Sequence, residues 1–205
     1  MDTIVIITLV IIIGTFLFNT WLSFLNYSHR NEEIPEEVKD VYEEEEYKKW
    51  HSYNMEVFRY SMIAKVISLV LLLTLLLSNA FVWFDTLSKG ITNSPYLQVF
   101  LFFSLYYIIE FIIGLFLSHY RSFVIEEKYG FNKTTKKTFI TDKIKSLILT
   151  AIFGGGLLLG LFALFSNVGT MFYVYGWASL VVIILIVNMI YVSVIVPLFK
   201  IGRAH

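Results

Sequence analysis

Long apolar stretches alternate with charged segments along this 205-residue chain. A helix needs about 20 apolar residues to cross the hydrocarbon core of a bilayer, where its own hydrogen bonds satisfy its backbone groups. The last two stretches share an uncharged run, 146–199, within which the segment 166–170 is the predicted turn. The pattern predicts an all-α, polytopic transmembrane helix bundle that forms a single membrane domain over residues 1–205. Its spans, about five in number, are predicted near 4–25, 66–84, 96–117, 147–165 and 177–198.

Basic residues lie almost entirely on one side of this scheme. Of the 16 Lys and Arg residues, only Lys89 falls in a connection on the opposite side. Because connections rich in Lys and Arg stay in the cytoplasm, we expect cytoplasmic loops at 28–64 and 119–146, a cytoplasmic C-terminus and an N-terminus across the membrane. In the first loop, the segment 34–37 contains a Pro followed by two Glu, which predicts the start of an amphipathic helix leading into the second span.

The composition agrees with a membrane protein and excludes some chemistry. Hydrophobic residues make up 57% of the chain and charged residues 16%, against about 45–50% and about 25% in soluble domains. Since there is no cysteine, disulfides, thiol nucleophiles and cysteine-based zinc sites are excluded. The first apolar stretch lacks a basic segment before it and a cleavage site after it, so we expect a permanent anchor rather than a signal peptide. The expected partner is the lipid bilayer, and no nucleic acid.

The histidines offer no catalytic metal site in this sequence. The four His residues, at positions 29, 51, 119 and 205, form no pair at i, i+4 spacing and no H-E-x-x-H motif. A catalytic zinc ion needs three protein ligands in suitable geometry. We therefore predict no catalytic residue, no metal ligand and no cofactor within this chain.

Glu110 is the only acidic residue inside a predicted span. A carboxylate at such a position is costly and normally faces protein or water. Two roles follow from the residues alone. Glu110 is either part of a polar cavity wall or a proton site, or it is a neutralised or hydrogen-bonded group near Tyr106 or Tyr107.

Glycines cluster in the fourth predicted span. Gly156 and Gly160 have the G-x-x-x-G spacing that allows helices to approach closely. We predict helix packing as their role. A phosphate-binding loop is excluded because no Lys-Ser or Lys-Thr pair follows the glycines.

The segment 123–135 mixes charged, aromatic, Gly and Asn residues within one predicted cytoplasmic loop. Its aromatic residues, Phe123, Tyr129 and Phe131, lie closer together than in a solvated linker. We expect an apolar surface to receive them, either the membrane face or another domain. The candidate residues of this segment are Phe123, Glu126, Glu127, Lys128, Gly130, Phe131, Asn132, Lys133, Thr134 and Thr135.

The string F-V-I-E-E-K-Y-G-F-N-K-T-T, at 123–135, resembles the signature loop of the type I CAAX prenyl proteases. Members of this family are integral membrane zinc metallopeptidases that cut prenylated peptides. The segment 35–49 is similar to the family's first cytoplasmic loop, and Trp177 with the string I-V-P-L-F at 195–199 is similar to the span that leads into its protease region. Val192 and Lys200 depart from the family pattern, in which Pro and Asn are common, and the segment 201–205 does not resemble the expected continuation.

The resemblance implies the N-terminal, chamber-forming membrane domain of such a protease, inactive as this chain alone. It implies that Glu110 lines the chamber, and that zinc is held in a full-length member by an H-E-x-x-H helix and a third Glu ligand that this chain lacks. The implied partners are a C-terminal protease domain, or a protein that supplies it, and a prenylated or other membrane-associated peptide substrate. An integral, multi-pass protein of this kind is expected in the inner or plasma membrane if bacterial and in the endoplasmic reticulum if eukaryotic.

Two other functions stay open at this point. The chain could be a non-enzymatic scaffold or regulator derived from the same family, which the short segment after Pro197 favours slightly. It could also be a small transporter with Glu110 as its ion or proton site. The lack of an inverted repeat makes the transporter the less favoured of the two.

Overall fold

The computed structural model describes residues 3–28 and 43–191, and these residues fold almost entirely as helices. No strand occurs in the described part of the chain, so the predicted all-α class is confirmed. Two π-helical turns, Arg121–Glu126 and Thr150–Gly154, occur between the α-helices. The helices are α1 (Thr3–Ser28), α2 (Glu44–Leu77), α3 (Ala80–Ile91), α4 (Pro95–Tyr120), α5 (Lys136–Leu149), α6 (Gly155–Val168) and α7 (Phe172–Ile190).

Within residues 3–28 and 43–191, four continuous helical stretches are long and apolar enough to cross a membrane: Thr3–Ser28, Glu44–Leu77, Pro95–Glu126 and Lys136–Met189. The last of these holds 54 residues, which is enough for two crossings. A short 3-10 turn, Gly169–Met171, divides it between α6 and α7. Gly169 has a φ of +61°, which glycine adopts without steric cost. This break overlaps the turn predicted at 166–170, and the ring centroids of Phe165 and Phe172 are 5.4 Å apart across it.

The second predicted span, 66–84, does not match one continuous helix. α2 ends at Leu77, and α3 begins at Ala80. Asn79 between them has a φ of 58°, a left-handed conformation in which Asn is enriched among non-glycine residues. The prediction placed the end of the span at the charged Asp85, whereas the helix ends where the backbone turns.

The two predicted cytoplasmic loops are largely helical where they are described. α2 begins at Glu44, well before the predicted span, and Glu44, Glu45 and Glu46 place negative charge at its positive end. The helical path of α4 continues through Arg121–Glu126, and α5 begins at Lys136. A helix need not stop where the bilayer does, so the predicted bounds of the spans and loops stay predictions. The predicted helix start at 34–37 and the end of the fifth span, 192–198, lie outside the described residues.

The described residues form two compact units, and the first comprises those of Met1–Phe81 and Phe116–Asn132. In this unit the Tyr27 and Phe58 rings stack with centroids 4.1 Å apart, and Lys65 Nζ donates to Ser23 Oγ at 2.6 Å. The Tyr60 hydroxyl donates to the backbone oxygen of Leu117 at 2.7 Å. α2 therefore contacts both α1 and the C-terminal end of α4.

The second unit comprises the described residues of Val82–Leu115 and Lys133–His205. Phe84 of α3 is 2% exposed, and its ring lies 6.1 Å from that of Phe102 on α4. Tyr96 of α4 meets Phe162 of α6 edge to face at 5.1 Å. Aromatic side chains thus pack α3 and α6 against α4, and edge-to-face ring pairs of this kind are favourable.

Few side chains are fully buried, although most of the chain is apolar. In the described part of the chain the buried apolar residues are Leu75, Phe84, Ile125 and Phe139. Large apolar side chains such as Ile4, Phe116 and Met189 are instead 71 to 79% exposed on the helix surfaces. A surface this apolar suits lipid rather than water.

Candidate functional site

The segment 123–135 begins as helix and ends in a glycine-dependent cap. The Phe131 N–H donates to the Glu126 carbonyl at 2.8 Å, and the Gly130 N–H donates to the Glu127 carbonyl at 3.0 Å. Gly130 has a φ of +74°. These features define a Schellman motif, in which the left-handed position favours Gly because a Cβ would be strained there. The motif turns the chain sharply and fixes where Lys128, Tyr129 and Phe131 point.

Two polar side chains of this segment converge on one carboxylate of α2. Lys128 Nζ lies 2.7 Å from Glu56 Oε2, and the Tyr129 hydroxyl donates to the same oxygen at 2.9 Å. The bond to Glu56 raises the pKa of Lys128, and burial, followed by the bond to Glu56, raises the pKa of Tyr129. Both side chains are thereby held protonated, as hydrogen bonding to a carboxylate requires.

Aromatic contacts reinforce this junction. Tyr53 of α2 meets the Tyr129 ring edge to face at 5.4 Å and the Phe131 ring at 4.8 Å. Lys49 Nζ lies 5.4 Å from the centroid of the Phe131 ring, within range of a cation–π interaction. The sequence predicted the membrane face or another domain as the receiving surface. The structure instead places Tyr53 of the same chain against Tyr129 and Phe131.

The remaining candidate residues of the segment shape its two ends. Asn132 Nδ2 donates to Glu127 Oε2 at 2.7 Å, and Glu126 Oε1 accepts from Arg121 Nε at 3.2 Å. The Phe123 ring lies 4.8 Å from that of His119. Lys133 and Thr134 lie in the non-helical connection. Thr135 Oγ1 accepts from the Thr138 N–H at 3.1 Å and so caps the start of α5.

Sequence reasoning missed the α2 side of this junction. Lys49, Tyr53 and Glu56 follow one another at i, i+4 and i+7, so they share one face of the helix. A helix leading into the second span was predicted here, but these three residues were not singled out on it. We call these three residues, with Lys128, Tyr129 and Phe131, the α2 clamp.

Glu110 is hydrogen-bonded within its own helix. The Tyr106 hydroxyl donates to Glu110 Oε1 at 3.2 Å, and both residues are half-buried. Tyr106 and Tyr107 also line a cavity of about 440 Å³ between α4 and the Thr150–Gly154 turn. The residues that line this cavity in the described second unit do not include Glu110. Its bond to Tyr106 is one of the two roles considered above, and a chamber-lining role stays a prediction.

A neighbour of the predicted glycine pair makes the close helix contact. A Cβ built on Gly155 would lie 2.9 Å from Cε2 of Phe100 on α4, a distance that requires Phe100 to shift. A Cβ on Gly156 or Gly160 would meet no atom within 4 Å. Those two glycines line a gap of about 390 Å³ that also borders Ser179 on α7. Tight packing at Gly156 and Gly160 stays a prediction.

The donor set does not fit a zinc ion. Residues 3–28 and 43–191 contain no group of three His, Asp or Glu side chains that could hold a metal, whereas zinc in a catalytic site takes three protein ligands. Within these ranges, no step of metal chemistry can be assigned to this chain's own side chains.

Comparison with known proteins identifies the family. Residues 23–201 match the family described as "CAAX prenyl protease N-terminal, five membrane helices". The chain belongs to this family. The chain is therefore a membrane domain of about five helices. Zinc metalloproteolysis is a property of the family as a whole.

Individual relatives agree with this assignment. The chain is similar to a CAAX prenyl protease 1 homolog of Caenorhabditis elegans, with 32% identity over 188 residues that cover 90% of this chain and 41% of the relative. It is similar to CAAX prenyl protease 1 of Saccharomyces cerevisiae, with 28% identity over 199 residues, 92% of this chain and 44% of the relative. A probable CAAX prenyl protease 1 of Schizosaccharomyces pombe is 45% identical over 85 residues, 39% of this chain and 17% of the relative.

The fold is similar to a solved structure over the whole chain. The crystal structure of S. mikatae Ste24p superposes with a TM-score of 0.84 and 27% identity, covering 100% of this chain and 50% of that one. The chain thus spans between two fifths and one half of the length of these full-length relatives. It corresponds to their N-terminal membrane domain.

Proposed function

We propose that this chain is the chamber-forming membrane domain of a CAAX prenyl protease-like zinc metalloendopeptidase, inactive without the protease region. The observation that carries the proposal is the match of the whole chain to one half of Ste24p. The chain covers only 41 to 50% of these relatives, which supports a role as one domain of a longer enzyme. The family assignment favours this function over a small transporter.

The proposed role of the α2 clamp is positional. It ties the signature loop to the cytoplasmic end of α2 through Glu56 and Tyr53. In the proposed orientation the N-terminus lies outside, and both charged loops face the cytoplasm with the C-terminus, where the protease region would follow. The relatives named above are eukaryotic, which supports the endoplasmic reticulum as the membrane.

The orientation is tested by thiol labelling, since the chain has no cysteine of its own. In sealed vesicles of known orientation, a membrane-impermeant maleimide should reach Lys48→Cys and Lys136→Cys from one side and Lys89→Cys only from the other. Labelling of Lys48→Cys and Lys136→Cys from opposite sides would overturn the proposed topology.

The proposed substrate is a prenylated or other membrane-associated peptide, taken into a chamber that Glu110 helps to line. The half-buried position of Glu110 and its bond to Tyr106 support this placement, because an acidic group within a membrane helix normally faces water or protein. In this role Glu110 is a wall residue and touches no reacting atom.

The proposed activity is tested by comparing this chain with a form extended to the length of its relatives. We expect the extended gene to encode H-E-x-x-H, and its product to bind about one zinc ion and cleave a farnesylated peptide. The 205-residue chain should do neither. An extended product without zinc, or equal cleavage by the short chain, would refute the proposal and favour the scaffold alternative.

A further inference from the structure

A cleft in the first unit lies between α2 and the end of α4 and plays no part in the function proposed above. Its volume is about 590 Å³, and its walls include Glu56, Arg59 and Ile63 of α2, and Phe116 and His119 of α4. Of the α2 clamp residues, only Glu56 lines this cleft. Clefts of this size accommodate small-molecule ligands.

The cleft is polar at one end and apolar at the other. Along α2 the lining changes from Glu56 and Arg59 to Ile63, which precedes the predicted span. Along α4 the order is reversed: the apolar Phe116 comes first in the chain, and His119 and the start of the π-helical turn follow it. The Tyr60 hydroxyl bonds the Leu117 carbonyl, so the two helices run past each other at this level. Both helices therefore present their charged ends at the same mouth.

The charge at this mouth is positive. Glu56 is compensated, since it accepts from Lys128 at 2.7 Å and from Tyr129 at 2.9 Å. Arg59 forms no ion pair within 4 Å in the described part of the chain, and its hydrogen-bond partner is Met55 Sδ at 3.3 Å. The exposed Arg59 guanidinium also attracts the Glu56 carboxylate electrostatically. Because its hydrogen-bond partner is a thioether, it retains most of its hydrogen-bonding capacity. His119 adds a second nitrogen-bearing side chain at the same mouth.

We propose that this cleft binds one anionic phospholipid of the cytoplasmic leaflet, with its phosphate at Arg59 and His119 and an acyl chain along Ile63 and Phe116. Guanidinium groups bind phosphate through paired N–H donors, and basic pockets between membrane helices on the cytoplasmic side hold anionic headgroups. The assignment rests on the proposed orientation, which labelling tests separately. It does not depend on proteolytic activity.

The test measures lipid retention on the purified 205-residue chain by native mass spectrometry. The chain in neutral detergent is titrated with dioleoyl phosphatidylglycerol, which is anionic, and with dioleoyl phosphatidylcholine, which is zwitterionic. We expect a preference for phosphatidylglycerol of roughly fivefold or more, since one basic residue near an anionic headgroup contributes about 1 kcal/mol. This comparison needs no variant, so it stands even where a substitution prevents folding.

Variants locate the lipid within the cleft. Arg59→Gln should abolish the preference, and Arg59→Lys should retain part of it because the charge remains. Ile63→Trp should lower retention of the dioleoyl lipid by filling the apolar end. Lys48→Gln is the matched control, because it removes one positive charge from the same helix at a side chain that is 68% exposed and outside the cleft. It should leave the preference unchanged.

Several results would overturn the assignment. Equal retention of the two lipids, or an equal loss with Lys48→Gln, would show only a general attraction between charges. Displacement of phosphatidylglycerol by millimolar inorganic phosphate would show an anion site without a lipid chain. Retention of a farnesylated peptide in place of phosphatidylglycerol would assign the cleft to a peptide ligand.

Discussion

The two units hold their helices together by different means. In the first, α2 is joined to the signature loop by charged and aromatic contacts centred on Glu56 and Tyr53. In the second, α4 and α6 meet through Tyr96 and Phe162 and through the close approach of Gly155 to Phe100. The first set lies where charged residues keep the chain near water. The second lies in an uncharged run, where packing replaces ion pairs because lipid offers no hydrophobic drive between helices.

Substitution of Gly155 is expected to have the largest effect, and it tests whether close packing holds the helices of the second unit together. Gly155→Val should destabilise the chain by about 1–3 kcal/mol, because the added atoms overpack against Phe100. The measurement is the free energy of unfolding in mixed SDS micelles, followed by circular dichroism. Gly156→Val is the matched control, since its Cβ meets no atom within 4 Å. An equal loss in both variants would place the packing contact at Gly156 and Gly160, as the G-x-x-x-G spacing predicts.

Gly130 tests the geometry of the first unit. Gly130→Ala should cost about 1–2 kcal/mol, because its φ of +74° places a Cβ in the strained left-handed region. The same unfolding measurement applies. Gly114→Ala, where a helical Cβ meets nothing within 4 Å, should cause no loss. If Gly130→Ala were also neutral, the helix cap would not be what orients Lys128 and Tyr129.

Glu56 tests the charged part of the α2 clamp. Glu56→Gln keeps the size and one acceptor oxygen but removes the charge, so we expect a loss of about 0.5–1 kcal/mol. Its side chain is 29% exposed, whereas Glu44, which pairs with Lys48, is 75% exposed. Glu44→Gln should therefore cost less. A double-mutant cycle with Lys128→Met isolates the pair, and a coupling energy of zero would contradict the role given to Glu56.

The smallest expected effect is the pH dependence of the clamp. The hydrogen bond to Glu56 raises the pKa of Lys128 above its usual range. Burial, followed by the bond to Glu56, raises the pKa of Tyr129. A raised folded-state pKa gives stability that is present below the unfolded value and is lost as the pH rises through the folded value. Wild-type stability should therefore fall more steeply above pH ~10 than that of a Lys128→Met, Tyr129→Phe double variant. If the stabilities of the wild type and the double variant fell in parallel with pH, the clamp would make no electrostatic contribution to the stability of the first unit.

Much of the fold was predictable, and the reasons are local. The apolar stretches, the turn near Gly169 and the all-α class follow from hydropathy and from one glycine. The helix break at Asn79 could not be predicted from charge, because Asn79 carries none although it turns the backbone. The clamp could not be predicted because it joins Glu56 to residues 72 and 73 positions away.

The sequence by itself determined that this is an integral membrane protein, because a run of apolar side chains has the same preference for lipid in any tertiary arrangement. Its segment 123–135 also carried the resemblance to the family. Only the tertiary structure decided that α2 supplies Tyr53 and Glu56 to that signature, and that Gly155 rather than Gly156 or Gly160 lies against Phe100. Such pairings depend on how helices are rotated and packed against one another, and the rotation of a helix whose surface is apolar on all sides is not encoded in its hydropathy.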